Sequence, residues 1–270
     1  MKSDKNWAPT KHINGLLVGA LTAAFLLTGC GGAPTKEATD KTVEVKPSLN
    51  STKQYLPVRQ YDKDGNELPF VATPNPYTEM TGRVEKDAVT GFIAARKALK
   101  SEAYDEADRV LQQVVTADKS LAGPWVMRGF IAEQNKDVEG AIGHYRQAIA
   151  VNKLNVNAYI PLARLLREQG KFLDAQNIYA QALAVWKDFP EAHLNLAILY
   201  DIYLNDPLQA QQHMEAYQFL SGGKDAKVSA WLTEIQSRTG IEPNLYIGPS
   251  STSQITKRED DKSDSSHLTN

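Results

Sequence analysis

Four short stretches with one pattern decide the fold: Tyr104-Asp105-Glu106-Ala107, Val138-Glu139-Gly140-Ala141, Phe172-Leu173-Asp174-Ala175 and Pro207-Leu208-Gln209-Ala210. Their final alanines are 34, 34 and 35 residues apart. Apolar residues recur at helical spacing on both sides of the third stretch, namely Ile160, Leu162, Leu165 and Leu166 before it and Ile178, Tyr179 and Ala182 after it. A fixed period of this length indicates helix pairs that bury their apolar stripes only by stacking on one another.

The period and the residues at fixed positions resemble the tetratricopeptide repeat (TPR). We take windows that begin at Ala88, Ala122, Val156 and Pro190. The small residues expected where helices cross are present at positions eight and twenty, as Ala95, Gly129, Ala163 and Ala197, then Ala107, Ala141, Ala175 and Ala210. The large residue of position four is Trp125, Tyr159 and His193, whereas the first window has Gly91. The fourth window carries one inserted residue, which we place in its inter-helix turn at residues 204–206.

The resemblance implies an all-α fold, a TPR helical-hairpin solenoid of about four repeats over residues 86–240. Gly222 and Gly223 end the last repeat, and a further apolar helical face follows, formed by Val228, Trp231, Leu232 and Ile235. A helix of this kind is expected to cap the open end of a solenoid. Residues 241–270 are polar and rich in Ser, Asp and Lys, so we expect a disordered tail.

The first 30 residues resemble a bacterial lipoprotein signal peptide. Lys2, Lys5 and Lys11 precede an uncharged apolar run over residues 13–27, which as a helix spans roughly 22 Å and is too short for a ~30 Å hydrocarbon core. The run ends in Leu27-Thr28-Gly29-Cys30, which resembles a lipobox. The resemblance implies removal of residues 1–29, acylation of Cys30 with chains such as palmitate, and an outer-membrane location facing the periplasm, because Gly31 rather than Asp follows the cysteine.

Residues 30–85 hold six of the thirteen prolines, and we expect a lipidated, flexible tether because proline blocks helix formation. Asp62, Asp64 and Asn66 with Gly65 are slightly similar to a calcium loop. The glycine and glutamate of an EF-hand are not at the required positions, so we interpret Asp64-Gly65 as the turn of a short hairpin. The aromatic residues Tyr55, Tyr61, Phe70 and Tyr77 would allow part of the segment to dock on the repeats.

The composition and the absence of catalytic motifs argue against an enzyme, a metal site and nucleic-acid binding. The single cysteine excludes an internal disulfide framework and zinc sites built on several cysteines. A net charge of −2 does not favour nucleic-acid binding. His144, His193 and His213 have no carboxylate at metal-ligand spacing, so we interpret them as packing or surface residues. We therefore expect no enzyme, no metal and no cofactor.

The remaining candidate site is the concave face that TPR arrays form mainly from the first helix of each repeat. The resemblance places twelve residues there: Phe92, Arg96, Lys100, Val126, Phe130, Glu133, Asn157, Ile160, Arg164, Arg167, Leu194 and Ile198. Their four cations favour an acidic or carboxylate-ending peptide, although ordinary solvated charges remain an alternative. We expect a membrane-anchored periplasmic adaptor that binds partner proteins of an envelope machine, such as pilus or secretin assembly or outer-membrane biogenesis. The alternative is a peptidoglycan-associated lipoprotein that recruits a cell-wall hydrolase or is one itself.

Overall fold

The computed structural model describes residues 48–242. The expected signal peptide, the acylation site Cys30, the first part of the expected tether and nearly all of the expected tail lie outside the described residues. Within residues 48–242 no helix is both long and apolar enough to span a membrane.

The described chain is all-α, as predicted from the sequence. Its helices are α1 (Lys86–Lys100), α2 (Tyr104–Ala117), α3 (Ala122–Gln134), α4 (Val138–Val151), α5 (Tyr159–Glu168), α6 (Phe172–Val185), α7 (Pro190–Ile198), α8 (Pro207–Ser221) and α9 (Ala226–Thr239). Helices α1 to α8 pack in four consecutive pairs, each pair packs on the next, and α9 packs on α8. Each pair is one predicted repeat, and α9 stands where the capping helix was expected.

The turn inside each pair repeats one backbone feature. Glu102, Lys136, Gly170 and Asn205 have left-handed φ angles of 57°, 62°, 76° and 51°. Their spacing of 34, 34 and 35 residues is that of the alanines. A left-handed residue at this point ends the first helix and reverses the chain toward the second. The left-handed turn residue therefore recurs with the same period as the packed alanines.

The inserted residue of the fourth repeat lies earlier than the sequence alignment placed it. Leu199–Tyr203 form a π-helical turn at the end of α7, in which the amide of Leu204 donates to the carbonyl of Leu199 at 3.0 Å. The placement at residues 204–206 was therefore wrong. The physical reason is that a bond over five residues accepts one more residue while the helix continues.

Small residues bring the helices of each pair close together. Ala107, Ala141, Ala175 and Ala210 are fully buried, and a Cβ atom added to Gly129 would lie 2.6 Å from the Tyr145 ring. The main hydrophobic cluster runs from Ala132 to Ile235. A smaller cluster, made of Ala95, Ala107, Leu111 and Ile131, belongs to the first repeat and the start of the second.

Helix α9 closes the C-terminal end of this array. It buries Val228, Leu232 and Ile235. Asp201, in the π-helical turn, accepts hydrogen bonds from the Trp231 indole at 2.8 Å and from Arg238 at 2.6 Å. Apolar burial and a shared carboxylate thus hold the cap on the last repeat.

Part of the expected tether lies against the repeats, and we call residues 48–80 the strap. Thr52 is fully buried, and the ring of Phe70 packs edge-on against Phe219 of α8 at 4.7 Å. The prediction of a flexible coil was wrong for this part. Proline prevents a helix, but it leaves an extended backbone free to bond to side chains of the repeats.

The predicted turn in the strap is confirmed. Tyr61 and Glu67 form one antiparallel bridge, and Gly65 between them has a φ of 84°. The Asp62 carboxylate accepts hydrogen bonds from the backbone amides of Asp64 and Asn66 at 2.9 and 2.8 Å. Together with the bond from the Asn66 side chain, these bonds lower the pKa of Asp62.

The second half of the strap is fixed at the connection between α6 and α7. The backbone amide and the hydroxyl of Thr73 donate to Asp188 at 2.8 and 2.7 Å, and the Trp186 indole donates to the Thr73 carbonyl at 2.7 Å. Burial alone would raise the pKa of Asp188, but the bonds from Thr73 and Lys187 outweigh burial and lower it. Asp188 therefore stays a carboxylate that holds the strap.

Candidate functional site

The twelve residues predicted for the concave face lie on the first helix of each pair, with one exception. Asn157 belongs to a short 3₁₀ turn, Val156–Ala158, just before α5. Phe130, Arg96, Lys100 and Asn157 are exposed, whereas the others are half-buried. We call the members on α3, α5 and α7, together with the π-helical turn, the groove.

A cluster of charges joins α3 to α5 in the groove. Arg164 is hydrogen-bonded to Glu133 and, at 2.9 Å, to Glu168. The Tyr145 hydroxyl donates to the other oxygen of Glu133 at 2.6 Å. Burial would lower the pKa of Arg164, but its bonds to the two glutamates outweigh burial and raise it. Burial and the bond to Glu133 raise the pKa of Tyr145, so that this hydroxyl remains a donor.

These contacts change the role expected for Arg164. We predicted that four cations, Arg164 among them, attract an acidic or carboxylate-ending segment. Arg164 instead has its charge offset by two carboxylates and links neighbouring repeats. Its proximity to Glu133 could not be read from the sequence, because the two residues are 31 positions apart.

Arg167 is in a different situation. Its guanidinium carbon lies 5.7 Å from the centre of the Tyr203 ring, which itself packs on Phe172 at 4.9 Å. The Nε and Nη1 atoms of Arg167 are buried and have no hydrogen-bond partner among the described residues. A buried donor without an acceptor is costly, and within residues 48–242 no carboxylate forms an ion pair with Arg167.

The surroundings of Arg167 supply apolar surface and neutral donors. Ile202 and Tyr203 expose 49% and 39% of their surface. Nearby, the Tyr179 hydroxyl donates to Asn195 at 3.3 Å, and burial raises its pKa to about 12. The groove thus offers one half-buried cation, without a carboxylate partner among the described residues, next to the partly exposed ring of Tyr203, which suits a peptide with an acidic or carboxylate group.

The first-repeat members stand apart from this arrangement. Phe92 packs against the smaller hydrophobic cluster. Arg96 and Lys100 are exposed on α1, and neither takes part in the ion pairs found within residues 48–242. These two predicted cations lie on α1, whereas Arg164 and Arg167 lie on α5.

Three residues that contact the predicted arginines or Glu133 were missed in the sequence. Glu168 lies four positions after Arg164 on a helix, a spacing that does predict an ion pair. Tyr145 was recognised only as a packing position. Tyr203 reaches Arg167 from the π-helical turn, which a repeat of constant length does not reveal.

Comparison with known proteins agrees with this architecture. Residues 160–201 match a tetratricopeptide-repeat family model, TPR_16, whereas a search of curated protein sequences finds no significant match. Crystal structures with similar folds include a MamA protein, with 14% identity, a TM-score of 0.50 and coverage of 68% of this chain and 98% of that one.

Two further structures are similar. MamA of Desulfovibrio magneticus RS-1 has 15% identity and a TM-score of 0.50 over 58% of this chain and 88% of its own. PilF of Pseudomonas aeruginosa has 16% identity and a TM-score of 0.50 over 57% of this chain and 69% of its own. At these identities the likeness concerns the fold. The four helix pairs, the family match over residues 160–201 and these neighbours together show that residues 86–239 have the tetratricopeptide-repeat fold.

Proposed function

We propose that the protein is a non-catalytic interaction scaffold of the bacterial envelope, anchored in the outer membrane through acylated Cys30 and facing the periplasm. The lipobox-like stretch Leu27-Thr28-Gly29-Cys30 supports the anchor. The TPR domain supports the scaffold, because a solenoid offers an extended surface for partner proteins. The partner would be a component of an envelope machine.

The observation that carries the binding function is the unpaired state of Arg167. Its buried Nε and Nη1 atoms have no acceptor among residues 48–242, while exposed apolar side chains stand beside it. A partner segment that places a carboxylate beside the accessible part of this half-buried guanidinium would form charge-assisted hydrogen bonds with it. Such bonds contribute about 1.5–3 kcal/mol.

Photo-crosslinking of the full chain in cells tests this groove. A photoreactive residue replaces Phe130 or Ile202, both of which are exposed. We expect a protein adduct from either position and a decrease of about tenfold or more in its yield when Arg167→Gln is added. The matched control is Arg146→Gln, which removes an exposed arginine of α4.

An adduct whose yield is unchanged by Arg167→Gln would contradict the groove. A similar decrease with Arg146→Gln would indicate general charge attraction instead. Circular dichroism of each variant checks that the repeats remain folded.

The anchor has a separate test. Cys30→Ser removes the thiol that would accept the diacylglyceryl group, so we expect the protein to move from the membrane fraction to the soluble periplasmic fraction. Retention of Cys30→Ser in the membrane fraction would contradict the lipid anchor and leave the groove unaffected.

A further inference from the structure

Residues 48–52 of the strap bind in a slot between α6 and α8, which is formed by Gln176, Asn177, Tyr200 and His213. The side-chain oxygen of Gln176 accepts from the Asn50 amide at 3.2 Å, and its nitrogen donates to the Asn50 carbonyl at 2.7 Å. Asn177 accepts from the same amide at 2.9 Å and donates to the Ser48 carbonyl at 3.0 Å. Two side-chain amides thus bind both backbone polar groups of Asn50, two residues before Thr52 begins the 3₁₀ turn Lys53–Tyr55.

Two residues further on, the slot holds a hydroxyl. The Thr52 Oγ1 atom lies 2.7 Å from Nε2 of His213 and 3.5 Å from the Tyr200 hydroxyl, and Thr52 is fully buried. Behind His213, its Nδ1 atom lies 2.9 Å from Nδ1 of His193, whose Nε2 lies 2.9 Å from the Lys187 carbonyl.

This chain of hydrogen bonds requires a donor at position 52. A carbonyl only accepts, so Nε2 of His193 donates to Lys187 and its Nδ1 accepts from Nδ1 of His213. In a neutral ring, Nε2 of His213 then accepts from the Thr52 hydroxyl. Burial lowers the pKa of both histidines and keeps them neutral. A side chain without a hydroxyl would leave Nε2 of His213 without a partner.

The polar lining is not needed for packing the repeats. The preceding repeat has Ile142 and Gly143 at the positions of Gln176 and Asn177, and Ile142 is buried without polar contacts to satisfy. Gln176 is equally buried. A buried amide costs free energy unless it is hydrogen-bonded, and here the peptide backbone, together with the Tyr200 hydroxyl at 2.9 Å, satisfies it.

We propose that this slot is a second peptide-binding site, separate from the groove. The chain fills it with its own residues 48–52, and a segment of a partner protein with the same backbone course can replace them. The recognised pattern is a backbone amide and carbonyl at one residue and a serine or threonine two residues later. The attached strap competes at an effective concentration in the millimolar range, so a partner must bind tightly or the strap must be displaced first.

The first experiment tests recognition of the attached strap. Hydrogen exchange of the Asn50 amide is measured by NMR in the full chain. With Gln176→Leu combined with Asn177→Ala we expect this amide to exchange about tenfold faster or more, because both acceptors of the amide and the donor to the Asn50 carbonyl are removed. The matched control is Gln181→Leu, at an exposed position of α6, which leaves the exchange rate unchanged.

The second experiment tests binding of a separate peptide. Asn50→Pro with Thr52→Val empties the slot while the chain stays intact. A fluorescent peptide with the sequence of residues 48–56, SLNSTKQYL, is titrated against this variant and against the unmodified chain. We expect affinity for the emptied variant to be about tenfold higher or more, and to be lost when Gln176→Leu is added.

A peptide with valine in place of its threonine is the matched ligand control, and we expect its affinity to be about tenfold lower. The proposal is overturned if the peptide does not bind the emptied, folded variant. It is also overturned if the valine peptide binds as tightly as the threonine peptide, because the hydroxyl would then contribute nothing to binding.

Discussion

Individual polar residues decide what the repeats bind, and their role follows from the position they occupy. Positions four and twenty-three of a repeat meet between its two helices, as Trp125 and His144 do at 5.7 Å and His193 and His213 at 5.1 Å. We interpreted the histidines in the sequence as packing or surface residues. His193 and His213 do lie in the packing, but they also carry a hydrogen-bond chain to the strap.

The buried histidine pair predicts acid sensitivity. Burial lowers the pKa of His193 to about 4 and that of His213 below its usual value, so the unfolded chain binds more protons than the folded one below about pH 6.5. Their contribution to stability is therefore complete above this pH and is lost as the pH falls toward about 4. We expect urea unfolding to show a loss on the order of 2 kcal/mol from His193 alone between pH 7.5 and pH 5, and a larger loss from the two histidines together.

The double variant His193→Asn with His213→Asn serves as the comparison. Its stability at pH 7.5 is expected to be lower. Most of the decrease in unfolding free energy between pH 7.5 and pH 5 should disappear in this variant. His144→Asn removes a half-buried histidine of α4. This variant should retain most of the pH-dependent decrease in stability. An equal slope in the double variant and the unmodified chain would show that other groups cause the acid sensitivity.

At the scale of the elements, the left-handed turn residue sets the length of each first helix. Gly170 occupies it with a φ of 76° and no atom near a Cβ position. Gly170→Ala therefore introduces backbone strain without a clash, and we expect a loss of about 1 kcal/mol. Gly143→Ala is the matched control, since Gly143 lies inside α4 with open space around it. We expect it to gain about 0.5–1 kcal/mol.

Both variants can be measured by chemical denaturation. A gain in stability for Gly170→Ala, or a loss for Gly143→Ala, would contradict this account of the two positions. The pair separates the effect of a left-handed backbone from the general effect of replacing glycine.

The helices could be predicted because their signals are local. The apolar spacing, the alanine of position twenty and the glycines after α8 all lie within one repeat. The π-helical turn, the contact of Glu133 with Arg164 and the docking of the strap depend on residues that are distant in sequence. Gln176 and Asn177 look like solvated helix residues until Asn50, 126 positions away, is seen beside Gln176.

At the scale of the whole molecule, the two hydrophobic clusters predict uneven stability. The larger cluster joins repeats two to four and the cap, whereas the first repeat depends on a small cluster around Leu111. Solenoids unfold in parts when neighbouring interfaces differ in strength. We expect amides of α1 and α2 to exchange with solvent about tenfold faster or more than those of α5 to α8.

Two core substitutions check this difference. Leu111→Ala and Leu196→Ala both remove a fully buried leucine, at a cost of about 2–5 kcal/mol. Leu111→Ala should increase exchange mainly in α1 and α2, whereas Leu196→Ala should affect α3 to α9. Equal increases along the whole domain for both variants would show that the domain unfolds as one unit.

The path of the strap has a consequence for how this protein can evolve. The strap contacts α6 and α8 through residues 48–52, Phe219 of α8 through Phe70, the α6–α7 connection through Thr73, and Asn152 at the end of α4 through Met80. Repeat proteins commonly gain or lose units by duplication and deletion. Here a helix pair added or deleted between α4 and α8 would move these attachment points apart or together, and the strap would no longer reach all of them. The number of repeats in this part of the domain is therefore tied to the length of a segment outside them, and we expect this part to change by substitution rather than by gain or loss of a repeat.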